Sequence, residues 1–401
     1  MLPCPTPLFD SLAQLSLSYQ EMSIEPLFKP DVQVSYLFLK SYSGSQGTFN
    51  SYRREVERLL HWCWHVKHTT LPHLRREEIE EFIHFCQSPP VAWIGLYKVP
   101  RFIVQEAKRC PNTAWRPFVA TLSKESRKQG HIPDVKQFTL SQGAIAEIFA
   151  ILSTFFNFLM AENYIPLNPV ALIRQKSKFI RKRQQAAPIR RLSQLQWAQV
   201  LLVTEALAEQ NPDAHERTRF MFTLLFGLYL RISELAASDR WVPCMNHFTK
   251  DSQGQWWFTT VGKGNKHRQI AVSDALLASL VRWRTFLGLS PLPVVSDASP
   301  LLPRIKGRGP LKDTAWIRRL VQRCFDLAAQ QLREKHLLEE ADALSAATVH
   351  WLRHTGISED VKIRPREHVR DDAGHSSSAV TDRYIDVELA ARHRSAKDKA
   401  I

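Results

Sequence analysis

Residues 222–235 read FTLLFGLYLRISEL, an apolar run that ends on Arg231 with Glu234 three residues on. At that spacing the two side chains share a helical face. The pair is therefore either a buried ion pair within one helix or a guanidinium held rigidly toward a phosphate or carboxylate, in the forked geometry that lysine lacks. Residues 262–268 follow as GKGNKHR, between two β-rich runs at Gln255–Val261 and His267–Val272. They read as a hairpin tip, where glycines on both sides of Lys263 let the backbone approach a partner and leave the amine free to donate a proton. No Gly-x-x-x-x-Gly-Lys-Ser/Thr pattern is present, so nucleotide hydrolysis is not indicated. Further on come HWLRHT at 350–355, Gly374-His375, and Asp382-Arg383-Tyr384. His350 and Arg353 would face the same way on a helix. A turn and a short helix between His375 and Tyr384 would fold the phenol back toward the imidazole.

Each of these residues alone has an ordinary explanation, as a capped helix, a loop histidine or a core tyrosine. Together they suit one reaction. Two guanidiniums, a lysine and two imidazoles around one phenol supply what attack on a phosphodiester needs without a metal: charge for the non-bridging oxygens, a base for the phenol and an acid for the leaving oxygen. A phenol with a free pKa of ~10 needs such neighbours to become a nucleophile.

The ordered set Arg231, Lys263, His350-x-x-Arg353, His375 and Tyr384, in the contexts LRISEL, GKGNKHR, HWLRHT, GH and DRY, resembles the tyrosine recombinases of the phage integrase and Xer type. The resemblance runs from about residue 193 to 390, and Tyr164-Ile165-Pro166-Leu167-Asn168-Pro169 is similar to the end of that family's core-binding domain. It implies that Tyr384 attacks the scissile phosphate to give a 3′-phosphotyrosyl link and a free 5′-hydroxyl. It further implies that Arg231 and Arg353 clamp the phosphate, Lys263 protonates the 5′-oxygen, His350 assists at the tyrosine, His375 bonds the phosphate, and Glu234 orients Arg231. Four features depart from the family pattern: the charged run EDVKIRPREHVRDD at 359–372, Ala373 where Leu commonly precedes Gly-His, an insertion at 89–133 longer than the family needs, and a tail of 17 residues after Tyr384.

The rest of the chain agrees with a polyanionic partner. Among 401 residues, 54 Lys and Arg stand against 39 Asp and Glu, a net charge of +15, while 44% apolar residues suffice for two cores. Residues 174–191 carry Arg174, Lys176, Lys178, Arg181, Lys182, Arg183, Arg190 and Arg191 without one acid. Such a stretch is either a solvated tether or a strip lying along a phosphate backbone, and in so basic a chain the second reading is preferred. The most apolar stretch, Phe149–Ala161, is only 13 residues and interrupted by Ser153, Thr154 and Asn157, so no membrane-spanning helix is expected. The N-terminus does not read as a secretory signal, and six scattered cysteines fit reduced thiols in a cytoplasm. His61, Cys63, His65, His68 and Cys86 are weighed as a zinc set and set aside, because Cys63 falls on the apolar helix face with Val56 and Leu59.

The expected fold is therefore mainly α with a small antiparallel β-sheet, a two-domain clamp around DNA. It comprises an N-terminal extension (1–40), a helical core-binding domain (41–173) with an irregular insertion of short helices at 89–133, a basic linker (174–192) and a catalytic domain (193–401). The expected activity is site-specific recombination, for integration or excision of a mobile element, by a homotetramer on two duplexes near the nucleoid. No cofactor is expected, and accessory DNA-bending or directionality proteins are potential partners. Xer-like resolution of DNA multimers, and a catalytically silent DNA-binding regulator on the same scaffold, are the alternatives.

Overall fold

In a computed structural model, residues 2–15, 24–42, 44–122, 126, 130–173, 179, 190–262, 265–375 and 377–385 are described. The chain divides into two units, Met1–Gln185 and Ala186–Ile401, each mostly helical with small sheets.

The first unit is built on four long helices: α1 (Lys29–Ser41), α2 (Gln46–Trp62), α3 (Arg76–Gln87) and α4 (Gln142–Ala161). Ser45 and Ser141 cap α2 and α4, each hydroxyl accepting from a backbone N–H three residues on. Helix α4 has 20 residues, enough by length and composition to cross a membrane, and the 13-residue apolar stretch is only part of it. Here Ile145, Ile148, Phe149, Ile151, Leu152, Phe155, Phe156 and Leu159 are buried, and most join the unit's core. Leu8, Phe9, Phe28, Val32, Phe38 and Leu39 belong to that same core, and Val32, Ser35, Phe38 and Leu39 lie on one buried face at spacings of three, three and one.

The insertion at 89–133 also differs from expectation, because its regular elements are mostly strands. A two-residue parallel pair joins β1 (Ile94–Gly95) to β4 (Phe118–Val119), and β2 (Phe102–Gln105) pairs antiparallel with β3 (Lys108–Pro111). The hairpin turns through Glu106 and Ala107, both at positive φ, a job usually signalled by Asn-Gly. Two ion pairs, Arg101–Glu57 and Arg109–Asp10, tie it to helix α2 and to the N-terminal segment, and Trp93 and Phe118 enter the core. Buried His61 has its pKa pushed down to about 3, by burial and then by neighbouring His65.

The first helix of the second unit opens on a Ser193/Gln196 capping box, where each side chain accepts from the other residue's backbone N–H, at 3.1 and 3.0 Å. Helices α5 (Gln194–Gln210) and α6 (Pro212–Gly227) follow, then the single turn α7 (Ile232–Leu235) with Arg231 at its N-cap. A three-stranded antiparallel sheet in the order β5 (Phe248–Lys250), β6 (Trp256–Val261), β7 (His267–Ala271) comes next. Its register pairs Thr260 with Arg268. The remaining helices are α8 (Asp274–Phe286), α9 (Thr314–Glu334), α10 (Leu338–Ala346), α11 (Val349–Asp360), α12 (Arg366–Ala373) and α13 (Ser378–Ile385).

Helices α6, α9 and α11 meet in the main core through residues such as Phe222, Phe325 and Leu352. Gly356 makes the crossing of α11 on α6 close: a Cβ there would stand 2.2 Å from the Phe226 carbonyl oxygen. A second, small cluster of Tyr229, Ile357, Val369, Ala373 and Tyr384 sits beside the main core. The charged run at 359–372 forms its wall. Pro365 starts α12, Val369 and Ala373 are buried, and Arg364 bonds Asp360, Asp372 and the Tyr229 hydroxyl at 2.9, 2.5 and 3.0 Å.

Candidate active site

Glu234 is 2% exposed and works as a hub. One carboxylate oxygen accepts from Arg231 Nη1 at 2.7 Å and Arg268 Nη1 at 3.1 Å; the other accepts from the Arg231 backbone N–H at 2.9 Å and Arg268 Nη2 at 2.8 Å. Burial works against this carboxylate, but Arg268 and Arg231 together outweigh it and hold its pKa below the usual range. The backbone at Gly262 passes close by. A Cβ at that position would lie 3.4–3.5 Å from Glu234, Arg231 and Arg268.

Arg353, on α11, is 2% exposed and donates to the backbone carbonyls of Tyr229 and Ala373, the latter at 2.5 Å. Tyr229 presents its carbonyl from a positive φ of 49°, uncommon for a bulky residue, and its hydroxyl is fastened to Asp360. Burial, and then the charges of Arg231 and Arg268, push the Arg353 pKa down to about 9. His375 is lowered to about 4 by burial and by Arg353, Arg231 and Arg268, and His350 is lowered by burial, Arg353 and Arg231. Burial first, and then the surrounding guanidiniums, disfavour the protonated form of both imidazoles.

Tyr384, on α13, is 6% exposed and lies between two imidazoles. His375 stacks on its ring at a centroid distance of 5.8 Å, held by a 2.8 Å bond between Nδ1 and Thr381 Oγ1. On another side, His354 Nδ1 lies 2.5 Å from the phenol oxygen, and its ring is 4.2 Å from that of His350.

Arg231, Glu234, His350, Arg353, His375 and Tyr384 are thus gathered in one unit from α7, α11, α13 and the loop before α13. Lys263 lies outside the described residues, as do Arg174, Lys176, Lys178, Arg181, Lys182 and Arg183 of the basic stretch; Arg190 is exposed and Arg191 half-buried. The contact with the phenol, expected of His350, is made by His354. Two residues escaped the sequence reading although a signal existed for each. Arg268 shares the inner face of β7 with buried Ile270, two residues on, and His354 follows His350 by four residues on one helix face. Among the described residues no group of three His, Cys, Asp or Glu is arranged to hold a metal ion.

No family model matches this chain. It is 26% identical over 150 residues to the tyrosine recombinase XerD of Rickettsia conorii, covering 37% of this chain and 46% of the relative. It is 29% identical over 198 residues to the tyrosine recombinase XerC of Rhodospirillum centenum, covering 48% of each. The chain thus spans about half the length of the curated relatives it matches. Among solved structures, the XerH site-specific recombinase in a post-cleavage complex with a palindromic difH substrate superposes with a TM-score of 0.56 at 15% identity, over 98% of this chain and 91% of that one. A lambda integrase tetramer bound to a Holliday junction superposes with a TM-score of 0.50 at 14% identity, over 89% and 77%. The structural likenesses are likenesses of fold.

Proposed function

We propose, starting from the tyrosine recombinase family to which relatives and fold both point, that this chain cleaves and rejoins duplex DNA through a 3′-phosphotyrosyl link at Tyr384. The observation that carries the reading is a buried phenol beside three guanidiniums and three imidazoles. A phosphodiester is the substrate such an arrangement fits. Arg231 and Arg353 would hold its non-bridging oxygens with Arg268 in support, and His375 would bond one of them. Attack by the Tyr384 oxygen forms a P–O bond and breaks the bond to the 5′-oxygen, which would leave as a hydroxyl after taking a proton from Lys263. The covalent link keeps the bond energy, so the 5′-hydroxyl of a second strand can reverse the step. Because guanidiniums provide the charge compensation, the reaction is assigned no metal and no nucleotide.

The cellular role proposed is integration or excision of a mobile element, by a homotetramer on two duplexes and with accessory proteins where a site requires them. Resolution of DNA multimers is the second reading, favoured by the kinship with XerC and XerD. The domain assignment carried forward is a core-binding domain, a basic linker along the backbone and a catalytic domain from residue 193. The test is incubation with a library of nicked suicide duplexes in EDTA, followed by recovery and sequencing of covalent adducts. A wild-type adduct that Tyr384→Phe abolishes is expected. No adduct from the wild type, or one that survives in Tyr384→Phe, would overturn the reading; the former with tight DNA binding would leave a regulator.

A further inference from the structure

We propose that His354 is a catalytic residue: it takes the phenolic proton of Tyr384 during strand cleavage and returns it during rejoining. This assignment rests on the recombinase reading given above.

Three imidazoles lie near the phenol, and their geometry separates their roles. His375 is pinned, because its Nδ1 is engaged with Thr381 Oγ1 one turn before Tyr384 and its ring stacks flat on the phenol, with an interplanar angle of 16°. Stacking presents ring faces, not a nitrogen lone pair, to the tyrosine. His350 touches the ring of His354 at 4.2 Å in an edge-on arrangement. His354 has a ring nitrogen 2.5 Å from the reacting oxygen. In the tautomer with hydrogen on Nε2, the phenol O–H donates to Nδ1, which places a base within reach of the proton it must remove.

The helix makes this arrangement stiff. His350 and His354 are four residues apart on α11, the element that also carries Arg353, and α13 packs on α11. One rigid helix therefore presents both the phosphate clamp and the proton acceptor to the nucleophile. In the step, the O–H bond of Tyr384 breaks and its proton passes to Nδ1, leaving His354 an imidazolium. The oxygen's electron pair forms the bond to phosphorus, and the P–O5′ bond breaks with its pair going to the 5′-oxygen, which takes a separate proton from the acid. On rejoining, the 5′-hydroxyl gives its proton back to the acid as it attacks phosphorus, the phosphotyrosyl bond breaks, and the imidazolium returns its proton to the phenolate. His350, in edge-on contact with the His354 ring, is placed to stabilise that imidazolium or to pass its proton on.

The experiment measures single-turnover adduct formation on the nicked duplex with wild type, His354→Ala and His354→Gln, each checked for folding by circular dichroism and for DNA affinity by titration. Glutamine accepts the hydrogen bond but cannot take the proton, so both variants should slow by roughly 10²–10⁴-fold with DNA affinity unchanged. Added imidazole should restore part of the rate to His354→Ala only. A 5′-bridging phosphorothiolate, whose thiolate leaves without an acid, should rescue neither. Wild-type rate in His354→Gln would overturn the base assignment, and rescue of His354→Ala by the phosphorothiolate would reassign the residue to the leaving group. If the wild type itself forms no Tyr384-dependent adduct, the recombinase reading falls, and this assignment with it.

Discussion

Replacing Glu234 with glutamine should weaken the second unit in a manner that an anion repairs. The native carboxylate accepts four hydrogen bonds, two from Arg268 and two from Arg231. Glutamine keeps one acceptor oxygen and turns an NH2 group toward guanidinium donors. Side-chain exposure is 2% for Glu234, 8% for Arg268 and 32% for Arg231, so most of the interaction lies out of solvent. Removing one partner of a buried pair costs about 3–5 kcal/mol, because the other charge is left uncompensated. Arg353, already depressed by Arg231 and Arg268, adds to the repulsion. At roughly 2–4 °C per kcal/mol for a unit of this size, the midpoint of the second unit should fall by roughly 6–20 °C. Differential scanning calorimetry of wild type and Glu234→Gln, in low salt and then with sulfate or duplex DNA, reads this directly. The anion should recover more stability in the variant than in the wild type, since it replaces the lost negative charge. The pH dependence has a definite sign: a carboxylate whose folded pKa is lowered contributes above its ordinary 4.5 and loses that contribution as pH falls through the folded value. The two proteins should therefore converge in acid. A midpoint within about 1 °C of wild type at neutral pH, or equal gains from sulfate in both proteins, would refute the account of Glu234 as a charge hub.

Gly356→Ala forces a methyl to within 2.2 Å of the Phe226 carbonyl; it should cost about 1–3 kcal/mol or more despite the better helix propensity of alanine, read as a lower urea midpoint. Asp31 is buried, with its pKa raised from 3.8 to about 6 by burial against the opposing bonds from Tyr164 and Leu71. The first unit should accordingly lose roughly 2 kcal/mol between pH 4 and pH 8 as the unfolded chain ionises more readily, and urea titrations of Asp31→Asn should lack that slope. Arg364→Ala strands buried Asp372 and should cost roughly 2 kcal/mol, allowing for partial exposure of the arginine; adding Asp372→Asn should recover part of it. Neutralising Arg181, Lys182 and Arg183 should flatten the salt dependence of DNA binding by up to about 0.9 per charge in log–log slope, measured by fluorescence anisotropy.

What could be read from residues alone followed how local the signal was. Arg231, Glu234, His350, Arg353, His375 and Tyr384 sit in short motifs whose neighbours identify them, and elsewhere in the same unit Ser193 and Ser273 cap α5 and α8. Arg268 and His354 lie inside the quoted motifs yet went unassigned, because their roles depend on which strand face meets Glu234 and which helix face meets α13. Those are facts of packing between elements distant in sequence. The hairpin at Glu106-Ala107 was hidden for a different reason: ion pairs to Glu57 and Asp10 hold it where turn chemistry would not have announced it. Helix α1 was missed because Lys29 and Pro30 precede its apolar face without a recognisable cap.

The carbonyls that receive Arg353 come from Tyr229, 124 residues away along the chain, and Ala373, 20 residues away. Until the turn at Tyr229 and the end of α12 have both closed on the arginine helix, the guanidinium is not seated. The tyrosine arrives on the last described helix. Contacts of such sequence separation form late, since loop closure must be met before they reward it. Seating of Arg353 therefore waits on the second unit folding as a whole, from the turn at Tyr229 to the end of α12.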